Sequence, residues 1–398
     1  MRIDHIEVTN LRFAYAEGQG FDCAGGHCTA RVTTLLRVYT DDGRVGLGSV
    51  YSYPALVYLI VKQQLEPLLI GEDPTEVEAL WERMYRVTRW YGRKGVTMST
   101  LGGLDVAFWD LRGQALGKPI WELLGGSRDA CPAYASALLW KEPAALAEEA
   151  AGHIARGFRR VKMRLGRNEE YDRAAVRAVQ RAIGPGHDLI VDASMRYHLD
   201  LARRMGKFLG EMGAFWFEEP FQPEDLASYT ALRGKVPVRI AQGENDFGTQ
   251  GFGELIRERA VDIVQPDVSR AGGISEVYRV GQMAREAGLE VATHTWSDAV
   301  AVMANAQVVS ALPNGLTVEV DQTGNPFIDE LLAEPLRVRE GLLRLGHAPG
   351  LGIQLDARAV ERYRMKDPLA LEDGFYSDMV FGKEHLYTAP EYVEAPGA

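Results

Sequence analysis

The sequence predicts an α/β protein: a closed barrel of eight parallel strands alternating with helices, preceded by a smaller α+β segment. Two observations carry this prediction. Past residue 126, short apolar strand candidates recur about every 25 residues, the size of one βα unit, with helical patterns between them. Seven of these eight strands also carry a polar or charged residue at the end, and the ends of barrel strands share one mouth.

The first segment reads as strands and then helices. Residues 2–9 and 31–39 are β-like, TDDGRVG is a turn with an Asp-Gly signal, and a third strand follows near Val45–Val50. Residues 55–70 and 75–90 have helical spacing, and 97–116 read as a buried, small-residue-rich helix. GKPIWELLGG then interrupts the pattern, which places a domain boundary near residue 126.

The barrel strands are expected at 134–140, 159–164, 189–194, 214–220, 238–244, 261–267, 289–295 and 316–321. Segments such as EEYDRAAVRAVQRAIG and ISEVYRVGQMAREAG supply the helices between them.

Composition narrows the partners. The chain has 398 residues, 46% hydrophobic and 25% charged, which is ordinary soluble globular usage. A net charge of -11 leaves no basic excess for nucleic acid or an anionic membrane surface. No apolar run reaches the roughly 18 residues of a membrane span, and MRIDHIEVTN carries no secretory apolar region. Three cysteines, Cys23, Cys28 and Cys131, suit a reducing cytoplasm better than a disulfide scaffold. Cys23, His27 and Cys28 hint at zinc, but the four-ligand pattern of a structural site is incomplete.

The strand ends carry the chemistry. Asp192, Glu218 and Glu244 come from successive strands, and anions gathered at one mouth repel unless a cation joins them. Hard oxygen donors without imidazole or thiolate select Mg2+ over zinc. Glu219, one residue past Glu218, is expected on the opposite strand face. Asp267 and His294 end neighbouring strands, and a carboxylate on one imidazole nitrogen fixes the tautomer and raises the basicity of the other. Lys162 and Arg164 stand two apart, so they share a strand face. Arginine stays protonated at ordinary pH, so Arg164 binds anions and takes no proton. These parts suit removal of a proton next to a carboxylate, with the resulting enediolate charge met by a metal.

The order VKMR, VDAS, FEEP, GEN, QPD, THTW and VEV on this rhythm resembles the enolase superfamily, and the His-Asp pair resembles its mandelate racemase subgroup. The resemblance covers nearly the whole chain, including NPFIDELLAEPLRVREGLLRLGHAPGLGI near the C-terminus. It implies a modified TIM barrel, (β/α)7β, over residues 127–340. It also implies an N-terminal α+β capping domain over 1–126, completed by a C-terminal segment, 341–398. Asp192, Glu218 and Glu244 match the ligands of one Mg2+ per subunit. His294 and Asp267 match the catalytic dyad, and Glu319 matches an acid that hydrogen-bonds the substrate carboxylate. Lys162 matches the first lysine of a Lys-x-Lys strand, which helps bind that carboxylate. Arg164 departs from the second lysine, and Ser194 from a frequent asparagine.

One base suffices for dehydration, so the implied activity is an acid-sugar dehydratase forming a 2-keto-3-deoxy acid from an aldonate or aldarate. Epimerisation or lactone cycloisomerisation, with Lys162 as a second acid/base, is the alternative. The expected partners are a sugar acid and further copies of the same chain. Loops near 15–30 and 49–54 are expected to cover the mouth. His27, Tyr51 and Tyr53 are candidates to touch distal hydroxyls there, and Trp296 to form an apolar wall.

Overall fold

The computed structural model describes residues 1–377, 379–386 and 390–395. The N-terminal part is a three-stranded antiparallel sheet, Ile3–Ala14, Ala30–Thr40 and Val45–Val50, with the long strand Ala30–Thr40 in the middle. The turn Asp41–Arg44 closes the second pairing, with Gly43 at φ 84. Helix Val96–Leu116 packs on this sheet and is buried almost all round, as its small residues predict. The close approach is made by Gly48 and Gly103: a side chain at Gly48 would meet the Gly103 carbonyl. The segment 54–69 is helical throughout, with a π-helical turn at Val61–Leu65.

Between Ala130 and Asp321, eight parallel strands alternate with seven helices, and the last strand, Gly315–Asp321, pairs with the first, Ala130–Ser136. The barrel is therefore (β/α)7β. The other strands are Arg160–Arg164, Asp188–Asp192, Trp216–Glu218, Ile240–Gln242, Ile263–Val264 and Glu290–Thr293. The first strand lies earlier than the apolar run 134–140 suggests. Leu138 takes φ 52, so the chain leaves the sheet after Ser136. Leu138 and Leu139 are buried in the loop instead.

Six side chains, Tyr134, Ile190, Trp216, Ala241, Ile263 and Ala292, fill the barrel interior as a cluster separate from the core around it. They form an apolar floor, and the chemistry-bearing residues stand at the strand ends above it. Among the described residues, no helix is long and apolar enough to cross a membrane.

The C-terminal segment divides its contacts. Leu342–Arg344 pairs with the start of the first barrel strand. Helix Ala357–Tyr363 packs on Ile3–Ala14, and the hairpin Gly374–Tyr376/Met379–Phe381 joins Thr29 of the N-terminal part. Residues 390–395 lie on the barrel rather than on the capping sheet. Tyr392 Oη donates to Asp172 at 2.8 Å, and Val393 accepts from the Glu169 amide at 3.0 Å. The C-terminal segment thus touches both the capping sheet and the barrel.

Candidate active site

Register builds the site. Arg164 pairs with Asp192, and Asp192 with Glu218, in adjacent parallel strands. Partners in register present their side chains on the same face, so these three stand in one row at the mouth. Oxygens of Asp192, Glu218 and Glu244 all lie within 4.8 Å of one another. Glu244 Oε2 is buried without a hydrogen-bond partner. An orphaned anionic oxygen among three converging carboxylates is a donor set that fits a hard divalent cation. Among the described residues no other such group occurs. Cys23, His27 and Cys28 are not gathered, because His27 points outward while Cys28 points inward on the same short strand.

Two cations hold the ring of carboxylates. Lys162 is fully buried, with Nζ 2.9 Å from Glu218, 2.7 Å from Glu319 and 3.9 Å from Asp192. Arg164 pairs with Asp192. Burial would raise the carboxyl of Glu319, but Lys162, then His294 and Arg164, hold it down at about 2.

Opposite them, His294 Nδ1 lies 2.9 Å from Asp267 Oδ2. The other oxygen of Asp267 accepts from Ser269 and Asn305, so the pair is fixed in place. His294 Nε2 faces Glu244 at 3.7 Å and Glu319 at 3.9 Å. Burial disfavours the imidazolium, yet Glu244 and Glu319, followed by Asp267, push His294 up to about 9.

These groups open on a cavity of about 490 Å3. Arg164, Asp192, Ser194, Glu244, His294 and Trp296 line it, and Lys162 does not. A larger recess, about 590 Å3 beside Trp90 and Phe247, contains neither the carboxylate ring nor the imidazole. Glu219 does not turn away. The chain leaves the strand at φ 37, and Glu219 lines the same cavity, accepting from Asn245 at 3.1 Å. Burial, with Glu244 and Glu218 close by, pushes its carboxyl well above the usual range.

The cover is made by residues other than His27, Tyr51 and Tyr53. His27 is half-exposed, held by Asp22 and outside the cavity lining, whereas Phe21, Cys23, Ala24 and Gly25 of its hairpin face inward. Tyr51 is buried behind Leu139 and Trp296, and Tyr53 packs on Phe381. Phe375, Ser377 and Val380 of the C-terminal hairpin, with Arg196, Asn245 and Arg270 from barrel loops, complete the lining. Position just past a strand end marks the loop residues. The C-terminal three carry no such signal.

Comparison with known proteins gives the family. Residues 145–360 match the enolase C-terminal domain-like model, and residues 18–125 match the N-terminal domain of mandelate racemase / muconate lactonizing enzyme. This chain belongs to the mandelate racemase subgroup of the enolase superfamily. Within the superfamily it is 34% identical to D-galactarolactone cycloisomerase of Agrobacterium fabrum, over 87% of this chain and 95% of that one. It is 33% identical to arabinonate dehydratase of Saccharolobus solfataricus, over 83% and 90%. The crystal structure of L-talarate dehydratase from Polaromonas sp. JS666, complexed with Mg and L-glucarate, superposes with a TM-score of 0.83 at 27% identity, covering 92% of this chain and 98% of that one. These superfamily relatives are lyases and isomerases, and this chain is an enzyme of the same kind.

Proposed function

We propose that this enzyme removes the proton alpha to the carboxylate of an acid sugar and expels the β-hydroxyl as water, giving a 2-keto-3-deoxy acid. The observation that carries this reading is the asymmetry of the two candidate bases. His294 lines the cavity, while Lys162 lies beneath it, enclosed by Glu218, Glu319 and Asp192. One accessible base suits elimination better than two-sided proton transfer.

His294 Nε2 takes the alpha proton while Asp267 holds Nδ1–H and stabilises the imidazolium. The same Nε2–H then protonates the departing β-hydroxyl, and the enol tautomerises to the ketone. Arg164 offers a planar fork to the substrate carboxylate. Lys162 keeps Glu319 and Glu218 ionised and in place. Asp192, Glu218 and Glu244 would hold Mg2+, which supplies positive charge as the enediolate develops and offsets the carboxylates that raise His294.

A second reading is supported by the cycloisomerase relative. There the chain rearranges a sugar lactone or epimerises C2, with Lys162 as a second acid/base.

The test is incubation with Mg2+ and a library of aldonates, aldarates and their lactones in D2O, followed by proton NMR, with His294→Asn alongside. New 3-deoxy methylene signals that vanish in the variant support dehydration. Deuterium entering C2 without loss of water, or a rearranged lactone, moves the assignment to the isomerase reading.

A further inference from the structure

Trp296 stands where three parts of the molecule meet. Arg31, from the central capping strand, holds its guanidinium 4.6 Å from the indole centre. Arg164, from the second barrel strand, lies 5.1 Å from the same centre. Phe21, on the covering hairpin, stacks 4.9 Å from Arg31 and meets Trp296 edge-on at 6.5 Å. Ser377 of the C-terminal hairpin accepts from Trp296 Nε1 at 2.6 Å.

Arg31 is almost fully buried, pairs with Asp321 at 3.3 Å and donates to Thr323 at 2.7 Å, while its Nη1 has no hydrogen-bond partner. A lysine could satisfy that carboxylate and hydroxyl. Arg31 Nε also donates to Tyr15 Oη at 3.2 Å, and what an ammonium cannot replace is the planar face that Phe21 and Trp296 share.

We infer that Arg31 is a positioning residue: it fixes Trp296 between the cover and the site, and through Trp296 it sets where the Arg164 guanidinium meets the substrate carboxylate. The cover and the anion-binding fork are then linked through one indole. The substrate half of this inference rests on the proposed function; the placement of Trp296 does not.

The test pairs Arg31→Lys, which keeps the charge on Asp321, with the double variant R31M/D321N, which leaves no unpaired buried charge. Acrylamide quenching of Trp296, read as the difference between each protein and its Trp296→Phe counterpart, needs no substrate. Quenching rises in both variants if Arg31 holds the indole, and wild-type quenching in both overturns the inference. With an acid sugar that turns over, Arg31→Lys raises KM about tenfold, about 1.4 kcal/mol, with kcat little changed. An unchanged KM, or kcat and thermal stability falling together, shows a purely structural ion pair and overturns it. If no acid sugar reacts, the proposed function falls while quenching still decides the role of Arg31.

Discussion

Lys162 Nζ lies 2.7 Å from Glu319 Oε1, and both side chains are sealed from solvent. The second oxygen of Glu319 faces His294 Nε2 at 3.9 Å and accepts from the Thr295 amide at 2.9 Å. One carboxylate thus stands between the buried ammonium and the imidazole. Its place is set from both sides.

Removing the ammonium leaves Glu218 and Glu319 buried without their cation. Lys162→Met is expected to cost on the order of 3–5 kcal/mol of stability. Glu319→Gln should cost less, because Lys162 keeps Glu218. Urea midpoints of the two variants check this, and equal midpoints would contradict the arrangement.

Asp267→Asn keeps the shape of the dyad but offers an amide in place of the carboxylate that orients His294. The expected result is a fall in kcat within the roughly 10²–10⁴ range of acid–base catalysis, with KM little changed. Nitrogen NMR of His294 gives a readout without substrate: above about pH 9, where the imidazole is neutral, the Nδ1–H tautomer should lose its dominance.

Glu244→Gln should weaken Mg2+ binding. A ligand present at about 100 times its Kd stabilises the fold by about 2.7 kcal/mol. Wild type should therefore melt higher in Mg2+ than in EDTA, and the variant should gain much less at the same concentration. A full gain in Glu244→Gln would remove it from the ligand set.

Asp105 supplies a pH signature outside the cavity lining. Burial outweighs its bonds from Ser275 and pushes its carboxyl up to about 7. The unfolded carboxyl titrates near the ordinary value of about 3.9. The folded state therefore binds the proton more tightly, so the contribution is full below about pH 4 and is lost as pH rises through about 7. The difference in melting temperature between wild type and Asp105→Asn should shift across that window and level off above it. A flat difference would show that Asp105 titrates normally.

Much of the barrel was legible because a parallel strand buried on both faces is a short apolar run, and its polar last residue marks the mouth. Asp192, Glu218 and His294 stand at or next to such ends. Strand alternation does not reach Glu219, because the backbone there turns to positive φ. The first strand was shifted by Leu138 and Leu139, whose apolarity serves a loop packed under the cover. His27 and Phe21 sit on one short hairpin, and only its register decides which side chain faces inward. Phe375, Ser377 and Val380 were invisible for a different reason. Their role depends on a contact with Thr29, which no local pattern encodes.

That contact has a consequence for the order in which the chain is made. The eighth barrel strand ends at Asp321, so every strand-end carboxylate and the imidazole have left the ribosome long before Phe375, Ser377 and Val380. The barrel can close while the wall of its cavity is still being translated. A message that stops short of Gly374 encodes the whole reacting centre but leaves out one side of the wall around it. In this chain, translation finishes the pocket last.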